Sequence, residues 1–334
     1  KFCKFKKIMN KITIGLVTYN RPAFLKRAIK SILRQKFNGF EVFIGNDYTQ
    51  KKISFKSLGI KQDKRIKIFN NKKNLDEKNN KNFLLKKCKS EWFMWLADDD
   101  YFHKDFFKIM IKNINSNKNA IAYYSNYSRK KLKKQIKFSR PKIYSKLDFL
   151  EGFISQKIRL IGVYGFIKTK YLKKIKGIHA TGKSFLVNNK LAHIYPYCDL
   201  LVPILLSKYG KISWTENRLI YLNTNNNSIS AVTNDYQAYV SSEKYILKKL
   251  KEIIGSKTNS EIKKKIISYI FMKFVFNRLT VIKKTNPFFN IFYFIKYCID
   301  EFYFKIEIKK NSIYSTDFNY LNIVKSIIKS FKNF

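Results

Sequence analysis

Cysteine, proline and glycine are all scarce in this sequence of 334 residues, which contains 4 Cys, 5 Pro and 11 Gly. The cysteines, at positions 3, 88, 198 and 298, are widely spaced, and no two form a C-x-x-C pair. This spacing excludes a zinc ribbon and a dense disulfide framework, and it favours a reducing compartment. So little Gly and Pro also excludes a collagen-like chain or a long flexible linker.

Long apolar runs are missing as well. No stretch approaches the roughly 18 consecutive apolar residues that indicate a membrane-spanning helix. Residues 1–10 are basic, and they contain no apolar segment of the length found in a signal peptide. We therefore expect a cytoplasmic protein, and we leave the residues before Met9 out of the fold prediction.

Acidic residues are few, since the sequence contains 22 Asp and Glu but 69 Lys and Arg. Its formal net charge is therefore +47. Only nine of these cations are Arg. Proteins that read nucleic-acid bases favour the planar Arg fork over the strongly hydrated Lys ammonium, so we expect no nucleic-acid partner. The excess of Lys agrees with an AT-rich codon bias, or alternatively with a positive surface that meets anionic lipid or a polyanionic substrate.

The first third of the chain alternates strand and helix patterns. An apolar, β-branched run at 12–18 predicts a buried strand, and Pro22 marks the start of the next helix. Further strands are predicted at 40–44, 65–69 and 92–97, and helices are predicted around the apolar stripe of 24–33 and at 80–88. This βαβ series predicts an α/β fold, a mostly parallel sheet flanked by helices, with a helical C-terminal region.

Acidic side chains follow two of the predicted strands. Asp47 follows the second strand, and Asp98, Asp99 and Asp100 follow the fourth. Because open α/β sheets bind ligands beyond the carboxyl ends of their strands, we expect these loops to converge with residues 18–21 at one edge. Three adjacent carboxylates repel one another unless a cation neutralises them, and their oxygens suit Mg²⁺ or Mn²⁺. The alternative is an acidic turn that caps the following helix.

Four segments in this order resemble the family 2 glycosyltransferases, which have the nucleotide-diphospho-sugar transferase (GT-A) fold. They are Val17-Thr18-Tyr19-Asn20-Arg21-Pro22, residues 28–35 with Ser31 and Gln35, Phe40 to Asp47, and Leu96-Ala97-Asp98-Asp99-Asp100. The resemblance covers 12–126 and resumes more weakly at 161–167 and 197–230. It does not extend to the last hundred residues.

The resemblance implies roles for individual positions in the donor site. It places Thr18, Tyr19 and Asn20 against the nucleotide of the donor. It places Asp47 where a carboxylate accepts a hydrogen bond from the base, and the imide N–H of uracil is a suitable donor for it. The alternative for Asp47 is a turn or helix cap.

The acidic triplet matches the metal-binding motif of the family. The resemblance implies that Asp99 is the principal metal ligand, that Asp98 contacts ribose or metal, and that Asp100 lies beside them. Ala97 stands where the family often has the first Asp of its D-x-D motif. The pair of carboxylates that binds the metal is therefore left open.

Two further positions match the family in part. Lys81 takes the place of an Arg near the diphosphate, with a solvated surface role as the alternative, and Asp76 replaces the usual Gly five positions earlier. The resemblance also implies that Asp199 is the general base that takes the acceptor proton, although Cys198 stands where Glu is common. The alternative for Asp199, compatible with the first, is the N-cap of the following helix.

The predicted organisation is a catalytic domain at 11–230 and a helical region at 235–334. Within the catalytic domain we distinguish a nucleotide-sugar half at 11–127, a basic insertion at 128–160 and an acceptor half at 161–230. Residues 128–149 of the insertion are expected to be exposed or mobile, or to hold an acceptor. Segments 263–273 and 288–304 mix Lys with Phe, Ile and Tyr, which predicts peripheral contact with the anionic inner face of the membrane. Packing on the catalytic domain or on a second subunit is the alternative.

The resemblance thus implies an inverting, metal-dependent glycosyltransferase with Mn²⁺ or Mg²⁺ as cofactor. Its donor is expected to be a UDP-sugar, and its acceptor a hydroxyl of a glycan or lipid-linked glycan of a surface polysaccharide, lipooligosaccharide or capsule. One alternative is a sugar nucleotidyltransferase, but the loop at 18–24 lacks the Gly-rich, basic sequence that holds a triphosphate. The other is a non-catalytic protein that binds polyanions or nucleic acid through its net charge of +47.

Overall fold

The computed structural model describes residues 12–130, 136–187, 190–191, 194–223 and 235–255, with 261–263, 265–267, 269–270 and 274. The chain divides into two compact units, residues 1–256 and 257–334. The helices and strands given below all belong to the first unit. Segment 288–304 and much of 263–273 lie outside the described residues, so membrane contact there stays a prediction, as do the domain boundaries.

Eleven strands are present in the described part of the chain: β1 (Ile12–Thr18), β2 (Phe40–Asn46), β3 (Ile66–Asn70), β4 (Trp92–Ala97), β5 (Tyr101–Phe102), β6 (Ala120–Ser128), β7 (Lys142–Tyr144), β8 (Gly165–Lys168), β9 (Leu186–Val187), β10 (Lys190–Leu191) and β11 (Lys211–Tyr221). The helices are α1 (Pro22–Leu33), α2 (Phe55–Leu58), α3 (Asp76–Lys87), α4 (Phe106–Ser116), α5 (Lys146–Ile154), α6 (Thr169–Lys174), α7 (Cys198–Ser207) and α8 (Tyr236–Ile254).

Nine of the strands form one sheet in the order β3-β2-β1-β4-β8-β6-β11-β5, with β7 beside β11. The strands β3, β2, β1 and β4 are parallel, as the βαβ pattern predicts. Beyond β4 the sheet is mixed, because β8 runs antiparallel to β4 and β6, and β11 is parallel to β6 but antiparallel to β5 and β7. The parallel half carries the loops that form the candidate site.

Burial follows the apolar pattern of the sequence. Leu25, Ala28, Ile29 and Ile32 recur at intervals of three and four on α1 and are fully buried. All of β4 except its last residue, Ala97, is buried. A parallel strand in the middle of a sheet has both faces covered by other elements, which is why β4 shows a continuous apolar run instead of alternation.

Residues 142–154 of the predicted basic insertion are part of the fold. Strand β7 pairs antiparallel with β11. Helix α5 begins at a cap in which the Ser145 side chain accepts from the N–H of Asp148, and it buries Phe149 and Phe153. The expectation of an exposed or mobile segment at 128–149 is therefore wrong for 142–149, which form β7 and the start of α5, because α5 carries apolar residues at helical spacing. Residues 131–135 lie outside the described part.

Helix α8 begins at Asp235, whose side chain accepts a hydrogen bond from the N–H of Ala238 over 3.0 Å. It packs against α7, and the Tyr197 hydroxyl at the start of α7 donates to Glu243 Oε1 over 3.2 Å. The first turn of α7 is therefore tied to α8. No helix within the described residues is both long enough and apolar enough to cross a membrane.

Candidate active site

The loops that follow β1, β2 and β4 meet at one edge of the sheet. The main-chain N–H of Asp47 donates to the Thr18 carbonyl over 3.1 Å, and Thr18 Oγ1 donates to Asp98 Oδ2 over 2.7 Å. All three residues are buried. Neighbouring parallel strands that end together bring their following loops together, so the structure joins these loops as their positions in the sequence predict.

Arg21 lies between the first two carboxylates of the acidic triplet. Its Nη1 is 3.4 Å from Asp98 Oδ1 and 3.3 Å from Asp99 Oδ2. Burial raises the pKa of Asp98 to about 6, although the hydrogen bond from Thr18 and the charge of Arg21 act in the opposite direction. A nearby cation therefore stabilises the charged form of Asp98, and Arg21 provides this cation.

Asp100 belongs to a different hydrogen-bond network. The Tyr164 hydroxyl donates to Asp100 Oδ2 over 2.6 Å, and the N–H of Asn223 donates to Oδ1 over 2.8 Å. Tyr164 in turn accepts from the N–H of Ala97 over 3.1 Å. Burial raises the pKa of the Asp100 carboxyl to about 7, and the neighbouring charge of Asp99 adds to this effect.

This arrangement differs from the predicted set of three metal-binding carboxylates. Among the described residues, no three Asp, Glu, His or Cys side chains are grouped so as to hold a metal ion. Both oxygens of Asp100 are already hydrogen-bonded, to Tyr164 and Asn223. Asp98 and Asp99 still fit Mg²⁺ or Mn²⁺, because such ions are commonly held by one or two carboxylates together with the phosphates of a substrate.

The loop after β1 presents an aromatic ring to solvent. Tyr19 is 54% exposed, and its ring meets that of Tyr48 edge to face at 5.3 Å. Asn20 adopts a left-handed backbone conformation with φ of 53°, which an Asn side chain tolerates better than most. The turn at Asn20 leads directly into Arg21 and α1.

Asp47 links the loop after β2 to the start of α3. Its Oδ1 accepts from Asn71 Nδ2 over 2.7 Å and from the N–H of Leu75 over 3.0 Å. Burial raises the pKa of Asp47, while these hydrogen bonds act to lower it. Asp76, where the family usually has Gly, has a φ of 65°, a conformation in which Gly is less strained than Asp.

Lys81 is buried on α3 and pairs with Glu77 one turn earlier. Burial is the largest single influence and acts to lower the pKa of Lys81, but Glu77, Cys198 and Asp199 together outweigh it, and the pKa is raised. The Lys81 carbonyl accepts from Trp95 Nε1 over 3.0 Å, which fixes this part of α3 to the sheet. A buried cation therefore lies within electrostatic range of the first turn of α7.

Asp199 lies in that first turn, half-buried, and its Oδ1 accepts from the N–H of Leu200 over 2.9 Å. Gly162 approaches so closely that a Cβ there would lie 1.8 Å from the Asp199 carbonyl oxygen. Just before the helix, Tyr197 has a left-handed φ of 59°. No hydrogen bond or ion pair among the described residues joins Asp199 to the acidic triplet, so the two lie in separate networks.

The sequence by itself assigns no role to four residues that contribute to this site. Arg21 and Tyr164 both lie inside segments that carry the family resemblance, so the segments themselves could have drawn attention to them. Glu77 precedes Lys81 by four residues, the spacing of an ion pair on a helix. Gly162 also lies in such a segment, at 161–167, but its closeness to α7 depends on packing between distant parts of the chain.

Comparisons with known proteins match part of this chain to one family. Residues 13–176 match the model of the family described as glycosyl transferase family 2. An uncharacterized glycosyltransferase of Rickettsia conorii is 34% identical over 126 residues, which are 37% of this chain and 20% of that protein. The GalNAc(5)-diNAcBac-PP-undecaprenol beta-1,3-glucosyltransferase of Campylobacter jejuni is 34% identical over 94 residues, 28% of this chain and 30% of that protein. The chain thus spans less than a third of these relatives.

Two solved structures show the same fold. The TarS fragment of S. aureus in complex with UDP-GlcNAc superposes with a TM-score of 0.60 at 15% identity, covering 83% of this chain and 76% of that one. The mannosyltransferase PcManGT from Pyrobaculum calidifontis, in complex with GDP-Man and Mn²⁺, gives 0.51 at 11% identity, covering 81% and 74%. The predicted α/β fold of GT-A type is confirmed.

Proposed function

From the premise that residues 13–176 belong to glycosyl transferase family 2, we propose that this protein is an inverting, metal-assisted glycosyltransferase. It moves a sugar from a UDP-sugar to a hydroxyl of a glycan or lipid-linked glycan. The meeting of the Thr18, Asp47 and Asp98 loops at the carboxyl edge of the parallel strands carries this proposal. A TarS structure with UDP-GlcNAc supports the donor, and a relative named for an undecaprenol-linked glycan supports the acceptor.

The donor nucleotide lies across the loops after β1 and β2. The exposed ring of Tyr19 is braced edge-on by Tyr48, so it offers a face on which a uracil ring can stack. The hydrogen bonds to Asp47 from Asn71 and Leu75 both reach Oδ1, so Oδ2 is the oxygen we assign to the imide N–H of the base. Thr18 and Asn20 line the path from the base toward the acidic triplet.

Asp99, together with Asp98, holds the Mn²⁺ or Mg²⁺ of this proposal. Such an ion supplies a positive charge that neutralises the diphosphate leaving group. Arg21 already bridges both carboxylates, so it stabilises their negative charges and lies where the diphosphate is expected. Lys81 is the second cation assigned to the departing diphosphate, and its raised pKa keeps it protonated.

Asp199 is the general base. It accepts the proton of the acceptor hydroxyl, while the hydroxyl oxygen forms a bond to the anomeric carbon and the bond from that carbon to the diphosphate oxygen breaks. The electron pair of the broken bond leaves with the UDP, and attack from the opposite side inverts the anomeric centre. The contact of Gly162 with the first turn of α7 positions this carboxylate.

Replacing Asp199 by Asn tests the base. We expect UDP-sugar affinity, measured by calorimetry, to change little, and turnover to fall by about 10² or more, the scale for loss of a general base. Asp63→Asn is the matched control, because Asp63 pairs with Arg65 outside the site and its loss should leave turnover unchanged. Collapse of donor affinity with a normal rate at saturating donor would reassign Asp199 to donor binding.

A thermal-shift series tests the donor and the metal. UDP-, GDP- and dTDP-sugars are each added with Mn²⁺, with Mg²⁺ and with EDTA, because a ligand that binds only the native state raises its melting temperature. We expect the largest shift for a UDP-sugar with Mn²⁺ or Mg²⁺, reduced by EDTA and by Asp99→Asn. An equal shift in Asp99→Asn would exclude Asp99 as a metal ligand.

A further inference from the structure

A basic cavity lies on the face of α1 that is next to β5, beside the acidic triplet and distinct from the donor loops. It has a volume of about 430 Å³, and its lining includes Lys26, Arg27, Lys30, Arg34 and Tyr101. The four cations recur along α1 so that their side chains share one side of the helix. No acidic side chain lines the cavity.

The two arginines of this cavity are held in place without being neutralised. Arg27 Nη2 donates to the main-chain carbonyl of Asp99, and Arg34 Nη2 donates to that of Phe102, each over 2.5 Å. Carbonyl oxygens fix a guanidinium group but leave its net charge in place. Within the described residues, no ion pair joins any of the four lining cations to a carboxylate. Arg21, which lies nearby, forms ion pairs with both Asp98 and Asp99.

Arg27 also has an unused donor. Its Nε is buried and has no hydrogen-bond partner within the described residues. Its guanidinium lies 5.3 Å from the centre of the Phe24 ring and 5.2 Å from that of Tyr101, which holds it by cation–π contact. A fixed guanidinium whose charge has no carboxylate partner is a group that a bound anion would neutralise.

The amino-acid types point in the same direction. The chain supplies its cations mainly as Lys, yet Arg21, Arg27 and Arg34 are three of its nine arginines and lie close together in sequence. Arg binds phosphate oxygens in a bidentate manner that Lys does not match. The Tyr101 ring stacks on Tyr221 with centroids 4.5 Å apart, which adds an aromatic wall suited to a polyol or sugar.

We propose that this cavity binds a phosphate ester, in which the phosphate contacts Arg27, Lys30 and Arg34 and the organic part lies toward Tyr101. The phosphate can belong to a soluble sugar or glycerol phosphate or to a lipid headgroup, since both present the same charged group. The proposal does not depend on the glycosyltransferase activity. Tyr19 and Asp47 are not among the residues that line the cavity, so we expect UDP on the donor loops to leave it free.

The test is calorimetry on the full chain at low salt, first without UDP and then with saturating UDP. Glucose 1-phosphate and glycerol 1-phosphate are the soluble probes, and co-sedimentation compares phosphatidylglycerol with phosphatidylcholine vesicles. The test variant is Lys30→Gln/Arg34→Gln, because both side chains are exposed and their replacement is compatible with folding. Lys30→Gln alone, which keeps the Arg34 contact to Phe102, guards against a local disturbance of β5.

The matched control is Lys86→Gln/Lys89→Gln, which removes the same charge from exposed positions elsewhere. This control matters because a chain of net charge +47 attracts anions everywhere. We expect saturable binding that the test variant weakens about tenfold or more, the effect of losing one or two charge-assisted hydrogen bonds, and that the control changes less than twofold.

Each outcome decides the proposal. Binding of the soluble esters assigns a free phosphate ester, and binding of phosphatidylglycerol vesicles alone, with the same response to the variants, assigns a lipid headgroup. Absence of saturable binding in both arms would overturn the proposal. So would equal weakening in the control, which indicates diffuse attraction, or loss of binding when UDP is added, which indicates the donor site. Failure of UDP-sugar transfer leaves this result unaffected.

Discussion

Replacing Tyr164 by Phe perturbs the buried carboxylate of Asp100 with little change of shape. The substitution removes the hydroxyl that donates to Asp100 Oδ2 over 2.6 Å and that accepts from the N–H of Ala97 over 3.1 Å. Asp100 keeps the hydrogen bond from Asn223. The cost of the substitution depends on whether the Asp100 carboxyl is charged, so it should vary with pH.

The sign follows from the pKa of Asp100, which is raised from 3.8 to about 7, chiefly by burial. A raised carboxyl pKa contributes stability that is present in full below the unfolded value and is lost as pH rises through the folded value. The Tyr164 hydrogen bond acts to lower this pKa, so its removal raises the folded pKa further. A hydrogen bond to a charged group contributes about 1.5–3 kcal/mol, against about 1 for a neutral pair.

We therefore expect Tyr164→Phe to cost about 1 kcal/mol of unfolding free energy at pH 6 and about 2–3 kcal/mol at pH 9. Urea denaturation at a series of pH values measures this difference. Tyr124→Phe is the matched control, because the buried Tyr124 hydroxyl donates to the neutral carbonyl of Gly162 over 2.9 Å and its cost should be independent of pH. A pH-independent cost in Tyr164→Phe would refute the assignment of a buried, titrating Asp100.

Three further predictions concern the rest of the site. Gly162→Ala places a Cβ against the first turn of α7, so we expect urea denaturation to show about 1–3 kcal/mol of destabilisation. We also expect a lower kcat at unchanged donor affinity, and wild-type turnover would show that the contact with Gly162 does not position Asp199. UDP affinity with Mn²⁺, measured by calorimetry, should rise several-fold from pH 5 to 7 as Asp98 ionises, and this dependence should weaken in Asp98→Asn. Glu77→Gln should lower the pKa of Lys81, which NMR titration measures; an unchanged pKa would refute their coupling.

The elements of the parallel half could be predicted from the sequence because local pattern decides them. Strand β1 has the predicted bounds, β4 coincides with the apolar run at 92–97, and α1 follows its apolar stripe. The strands of the mixed half of the sheet were harder to predict from the sequence. Strands β5 and β8 are short, and their direction depends on the partner beside which they lie, which short-range periodicity does not specify.

The candidate site likewise has features that the sequence predicted and features that it did not. The sequence by itself determined which loops follow the parallel strands, and hence that Thr18, Asp47 and Asp98 lie at one edge. It did not show that Asp100 turns away from this group, because its partners Tyr164 and Asn223 are 64 and 123 residues distant along the chain.

Only the tertiary structure decided the charge state and the partners of the acidic residues. The periodicity of apolar residues indicates which face of a helix or strand is buried, and the ends of the strands indicate where ligands bind. A hydrogen bond needs two atoms within about 3 Å of each other, and a pKa depends on burial and on every neighbouring charge. These quantities arise when distant segments pack, which is why the partners of Arg21 and Tyr164 and the closeness of Lys81 to Asp199 emerged from the fold and not from the motifs.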